Sequence, residues 1–267
     1  MNTERWSAGL AAPIFAALRP SLSRLDPGAF PRHDDLNALT GPEVVSGGGA
    51  PIRFVPPARV KEPSSRYEIR IFESGEVQTR PDNWHDLFNA LVWLAFPKTK
   101  AVLNRHHCEQ IRTRAGERER GTARDVLTLF DEGGVVVAAA DAKLAALLRD
   151  CRWKELFWTR RTDVGRSMRF HVFGHAIYEK ALEPYKGVTA KALIVDVGSE
   201  LLDASEERQL AELDARAAHY FSGTQALAST RSLSPLPILG IPGWEPANER
   251  EEYYDDASQF RPARAGA

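Results

Sequence analysis

Apolar positions along the chain fall into two periods, and the elements follow from them. In NWHDLFNALVWLAF, Phe88, Leu91, Val92 and Ala95 recur at i, i+3, i+4 and i+7, which predicts a helix capped by Asp82 or Asn83 and stopped at Pro97. RYEIRIFESGEVQTR reads as two β-rich runs around Ser74-Gly75, a hairpin signal because glycine accepts the positive φ of a tight turn. DVLTLFDEGGVVVAAA repeats that pattern at Gly133-Gly134, after which Asp141 caps a helix over DAKLAALLRDCRWKELFW. MRFHVFG then predicts a strand, HAIYEKALEPY a helix ended by Pro184, and AKALIVDV another strand.

Strands alternating with helices favour parallel pairing, whereas hairpins demand antiparallel pairs. The predicted class is therefore α/β: a mixed sheet with two β-hairpins and a β-α-β-α-β segment, with α+β as the alternative. A helix over Trp6–Leu18, kinked at Pro13, leads into a Pro- and Gly-rich wrapping loop over Gly41–Ser65. Residues 1–50 are too few to fold alone and are expected to pack on a single domain over residues 51–267. Beyond Gly198 the chain turns helical and acidic to about Tyr220. From PLPILGIPGW onward a Pro-rich tail forms a long irregular wrap that buries Trp244, Tyr253, Tyr254 and Phe260.

Composition narrows the classes. The 267 residues are 43% hydrophobic and 27% charged, with a net charge of -1, an ordinary globular balance. No stretch approaches the roughly 20 apolar residues of a membrane span, and the N-terminus fits a secretory signal poorly, so a cytoplasmic protein without membrane association is expected. Cys108 and Cys151, each in a predicted helix, offer neither a disulfide framework nor a zinc quartet. Between Lys98 and Arg124 eight Lys+Arg stand against three acids, a stretch that would attract an anionic small molecule or nucleic acid. RTRAGERERGTARD mixes signs, however, and reads first as an exposed loop. GxGxxG, P-loop and GxSxG motifs are absent.

The segments NWHDLFNALVWLAFPKTKAVLN, DVLTLFDE, FGHAIYE and LPILGIPGW resemble, in order, the bacterial family called domain of unknown function 3025, over about Ile52 to Arg264. The resemblance implies a soluble bacterial protein and no particular reaction, so the chemistry rests on the residues.

His85, Asn89 and Trp93 recur at i, i+4 and i+8, with Asp86 beside them, as a polar stripe opposite the apolar one. HxxxN lacks the second imidazole of an HExxH helix, and capping of the first turn explains the stripe equally well. His175, Tyr178 and Glu179 follow a predicted strand and Gly174, a place where ligand sites gather in α/β sheets. His171 is four residues from His175, but a strand would point the two apart. Asp131 and Glu132 stand together at the expected hairpin tip, so at most one faces a site. His106 and His107 read as favourable charge near a helix end.

Two functions follow. The first is a small hydrolase or phosphodiesterase-like enzyme whose catalytic set is His85, Asp86, Asn89, His175 and Glu179. Lys98, Lys100, Trp93 and Tyr178 would bind an anionic substrate, and a divalent metal would be held among His85, Asp131 and His175. The second is a non-catalytic binding or adaptor protein in which these polar groups are structural. A ββα-metal nuclease is disfavoured because YEIRIF carries no histidine base.

Overall fold

The structure, a computed structural model, describes residues 10–58, 64–113 and 122–263. Its strands are β1 (Arg53–Val55), β2 (Glu76–Gln78), β3 (Gly134–Ala139), β4 (Met168–Val172), β5 (Thr189–Asp196) and β6 (Ser234–Pro237). The helices used below are α1 (Ser64–Ser74), α2 (Trp84–Ala95), α3 (Pro97–Thr113), α4 (Thr122–Gly133), α5 (Ala142–Arg149), α6 (Arg161–Ser167), α7 (His175–Ala181) and α8 (Glu206–Ser222).

The main sheet runs β4-β3-β5-β6 and is mixed: β3 lies parallel to β5 and antiparallel to β4, and β6 pairs antiparallel with β5. GVVVAA fills the central strand because every position of β3 is buried, the continuous apolar run expected where helices cover a sheet. The expected mixed sheet is present, but neither hairpin is. RYEIRIFES folds as part of α1, with Ile71 in the core, and Gly75 takes its positive φ (71°) as the residue that ends the helix, its N–H bonding the Ile71 carbonyl. The same glycine signal serves helix termination instead of a turn. VLTLF likewise belongs to α4, whose Val126, Leu127 and Phe130 are buried at helical spacing. β propensity mainly expresses packing on a pleated surface, so the helix packing available here overrides it.

Other differences are local. The N-terminal helix starts as a 3-10 turn at Pro13, which suits a first helical position, and continues over Arg19–Leu22; the stretch before residue 10 lies outside the described residues. The expected wrapping loop contains β1, paired parallel with β2. Asn83, not Asp82, caps α2, accepting from the Asp86 N–H at 3.0 Å, and Asp141 caps α5 as expected. Pro97 opens α3 instead of only closing α2. Cys108 lies in α3, but Cys151 follows α5 at positive φ. Most of RTRAGERERGTARD falls outside the described residues.

The tail wraps as expected, though its Ser234–Pro237 segment serves as an edge strand, the sheet position where proline is tolerated. Buried Tyr254 donates to the Gly240 carbonyl at 2.9 Å, Asn248 to those of Leu239 and Ile241, and Trp153 to that of Arg261. Phe15, Phe88, Val136, Tyr178 and Phe260 belong to one contiguous core, which joins the N-terminal arm, the sheet and the tail.

Asp214 of α8 joins helices in a way the sequence did not signal. Its carboxylate accepts from the Lys98 and Thr99 N–H groups at 3.0 and 2.8 Å, capping α3 from a neighbouring helix. It is 2% exposed. Replacing it with alanine leaves buried donors without partners and is expected to cost about 2 kcal/mol, hence about 4–8 °C in melting temperature. A calorimetric scan of Asp214→Ala checks this, and an unchanged melting temperature would contradict the capping role.

Candidate metal centre

A cavity of about 430 Å³ opens among the helices on one side of the sheet. Each helix contributes residues at helical spacing: Tyr67, Glu68 and Ile71 from α1, His85, Asp86, Asn89 and Trp93 from α2, Lys100, Leu103, Asn104 and His107 from α3, and Arg124, Thr128, Asp131 and Glu132 from α4. The first residue of α7, His175, completes the wall.

Glycine packing brings His175 there. A Cβ on Gly174 would lie 2.5 Å from the Glu132 carbonyl and 2.5 Å from the Gly134 nitrogen. Only glycine permits that approach. The Phe173 and Gly174 N–H groups both bond the Gly134 carbonyl, at 2.9 and 2.8 Å, so β4 turns into α7 directly over the last turn of α4. Helix α2 packs on α7 from the other side, through Phe88 and Tyr178 with ring centroids 5.5 Å apart. His85 and His175, ninety positions apart in sequence, thereby meet.

Their Nε2 atoms lie 3.0 Å apart. Glu132 Oε2 is 3.6 Å from His175 Nε2, and one ligand atom from each of His85, Glu132 and His175 lies within 4.8 Å of the other two. The outward nitrogens face carboxylates. His85 Nδ1 meets Glu179 Oε2 at 2.9 Å, and His175 Nδ1 faces Asp131, whose carboxylate is 3.9 Å away and whose backbone also bears on the ring. The His85–Glu179 contact is the carboxylate support usual for a metal-ligating histidine, whereas His175 Nδ1 is buried without a hydrogen-bond partner. Two nitrogens each about 2.1 Å from one ion sit about 3.0 Å apart at a right angle and about 3.4 Å apart at a tetrahedral one, so this pair has ligand spacing.

Electrostatics set the protonation states. Burial pulls His175 down to about 4, with Asp131 opposing, so the ring is neutral at physiological pH and offers a lone pair. Burial also raises Glu132, with the adjacent Asp131 adding to it. Burial pushes Asp131 up, but the Lys100 ammonium at 2.6 Å outweighs it and holds this carboxyl below its ordinary value. Asp86 is held low in the same way, because Arg80 binds it through its backbone N–H at 2.7 Å and two guanidinium contacts at 2.8 Å.

The residues picked out from sequence therefore separate. His85, His175 and Glu179 come together, but Glu179 pairs with His85 and not with the His175 one turn before it. Asp86 is committed to Arg80. Asn89 lines the cavity, accepting from Lys100 at 2.9 Å and donating to Tyr67 at 3.3 Å. Lys100 also lines it but is spent on Asp131, while Trp93 underlies the Lys100 ammonium at 5.3 Å. Lys98 is exposed, absent from the cavity wall, and engaged through its backbone with Asp214. Tyr178 is fully buried, donating to the Val172 carbonyl at 2.6 Å, so it is a core residue. Asp131 lies behind the histidines, and Glu132 stands beside their paired nitrogens.

Glu132 was missed because a hairpin tip would point neighbouring acids to opposite faces, whereas on a helix they sit about 100° apart and share a side. Tyr67, Glu68 and Arg80 carry no local signal, whereas His107 reads in sequence as helix-end charge and Arg124 as part of the basic stretch.

Residues 52–264 match the model of the family described as "Protein of unknown function (DUF3025)". No curated protein and no solved structure matches the chain. None of the described helices is long and apolar enough to cross a membrane. With some four fifths of its length matched, the chain belongs to the DUF3025 family of proteins of unknown function.

Proposed function

We propose that this protein is a metal-dependent hydrolase whose single divalent ion is held by His85, Glu132 and His175. The observation that carries the reading is the convergence of two imidazole nitrogens at 3.0 Å with a carboxylate beside them, at the edge of a cavity large enough for a small substrate. Two histidines and one glutamate form a ligand set of catalytic zinc, and two histidines with one carboxylate also suit iron. An ion in such a site supplies a Lewis acid and brings the pKa of a coordinated water to about 7. The chain's own groups do the rest. Glu179 orients the His85 ring, Asp131 faces that of His175 at 3.9 Å, and Lys100 keeps Asp131 ionised. Arg124, which has no ion pair among the described residues, stands on the wall to receive an anionic group, and a phosphoester is the substrate class that this favours.

A second reading has its own support, since 3.0 Å is also the length of an N–H···N hydrogen bond. In that case the cluster is structural and the protein binds a partner without catalysis. Metal content by plasma mass spectrometry, on untagged protein exchanged against zinc and then manganese, separates the two. The metalloenzyme predicts about one ion per chain, a loss of at least about tenfold in His85→Ala/His175→Ala and in Glu132→Gln, and metal-dependent cleavage of bis(p-nitrophenyl) phosphate. Protein that takes up no metal, with variants that lose only stability, would establish the structural reading instead.

A further inference from the structure

A second cavity, of about 450 Å³, lies along the edge strand β4, between the N-terminal arm, α6, the start of α8 and the C-terminal tail, and shares no lining residue with the first. At its floor is His171, which is 5% exposed; Gln209 is the side chain that bears on its ring, and at least one ring nitrogen has no hydrogen-bond partner. Buried polar atoms in folded proteins are nearly always paired, so an imidazole left open against a cavity calls for a partner that enters it. The neighbouring Gln209 narrows what that partner offers. Its amide N–H group is spent on the Leu202 and Ala204 carbonyls, so the side of Gln209 left for His171 is its oxygen. The imidazole N–H then faces Gln209, and the opposite nitrogen keeps a lone pair that accepts. Burial pulls His171 down to about 4, which keeps that lone pair present at neutral pH.

The remaining lining grades from floor to mouth. Half-buried Phe170 and Trp244 form aromatic walls, their rings edge to face at 6.5 Å. The exposed Arg19 and half-buried Glu206 stand at the mouth with opposite charges and are not joined in an ion pair. Arg169 is already committed to the Gly165, Met168 and Leu202 carbonyls. An acceptor below, aromatic faces in the middle and one charge of each sign above match one chemical class. We propose that this cavity binds an aromatic amino acid, its ring packed against the cavity-facing sides of Phe170 and Trp244, its ring O–H or N–H donated to His171, and its carboxylate and ammonium at Arg19 and Glu206. The site is separate from the metal centre and does not depend on the reading given there.

Calorimetric titration with L-tyrosine, L-tryptophan and L-phenylalanine tests it. Tyrosine and tryptophan are expected to bind at least about tenfold more tightly than phenylalanine, which has no ring donor to satisfy His171. His171→Leu should abolish that preference, and Trp244→Ala should weaken all the ligands. If His171→Leu does not fold, the nitrogen NMR signals of the His171 ring in the wild type serve in its place, and tyrosine but not phenylalanine should shift them. Equal affinity for the three, no binding of any, or a preference that survives His171→Leu would overturn the assignment.

Discussion

Lys100→Met is expected to destabilise the protein by about 3–5 kcal/mol, because it strips the cation from a carboxylate that has little recourse to water. Lys100 and Asp131 approach to 2.6 Å with side chains only 6% and 22% exposed, and Lys100 also donates to Asn89. At about 2–4 °C per kcal/mol for a chain of this size, the melting temperature should fall by about 10 °C. The informative comparison is the double variant. Lys100→Met/Asp131→Leu removes both charges, and replacing a buried pair with apolar groups is often nearly neutral, so most of the loss should be recovered. If the double variant were as unstable as the single one, the cost would lie in lost packing around Trp93 and not in the stranded charge. The pair also bears on the candidate centre, since Asp131 faces the outer nitrogen of His175.

The second large effect is acid lability of the chelator-treated protein. His171 and His175 both fall from an ordinary 6.5 to about 4, chiefly through burial. Below pH 6.5 the unfolded chain binds protons at these positions, and the folded chain does not until about pH 4. Their contribution is thus intact above pH 6.5 and is lost progressively as pH falls towards 4. Each ring accounts for about 3 kcal/mol, together a large share of the 5–15 kcal/mol typical of whole proteins. Asp131 and Asp86, held low by their cations, act in the same direction at lower pH, whereas the raised Glu132 and Asp214 oppose it weakly. Urea midpoints between pH 8 and pH 4.5 should fall steeply below about 6.5, and His171→Leu should remove about half of that slope. A flat profile would mean that water reaches both rings.

How far the sequence carried depended on whether the relevant information was local. The helix over Trp84–Ala95, the Asp141 cap, β4, α7 and β5 were legible because their apolar periods and punctuation lie within a dozen residues. RYEIRIF and VLTLF were not, since short apolar runs fit either period and tertiary packing chooses between them. Gly75 illustrates the limit: positive φ could be foreseen, but a helix end and a hairpin turn make the same demand. The imidazoles of the candidate site were legible as residues, because each stands with a carboxylate nearby in sequence, Asp86 beside His85 and Glu179 one turn after His175. Their meeting was not, because it depends on Gly174 seating against Gly134 and on α2 packing against α7, contacts between segments far apart in the chain. The same long-range packing decided the rest: it assigned Tyr178 to the core, Lys98 to Asp214 and Lys100 to Asp131, and turned Glu132 towards the histidines. The chain by itself determined its family, its mixed sheet and the candidate imidazoles. Which carboxylates stand beside those imidazoles was decided only in the tertiary structure, where distance replaces sequence separation and burial settles which charges are already paired.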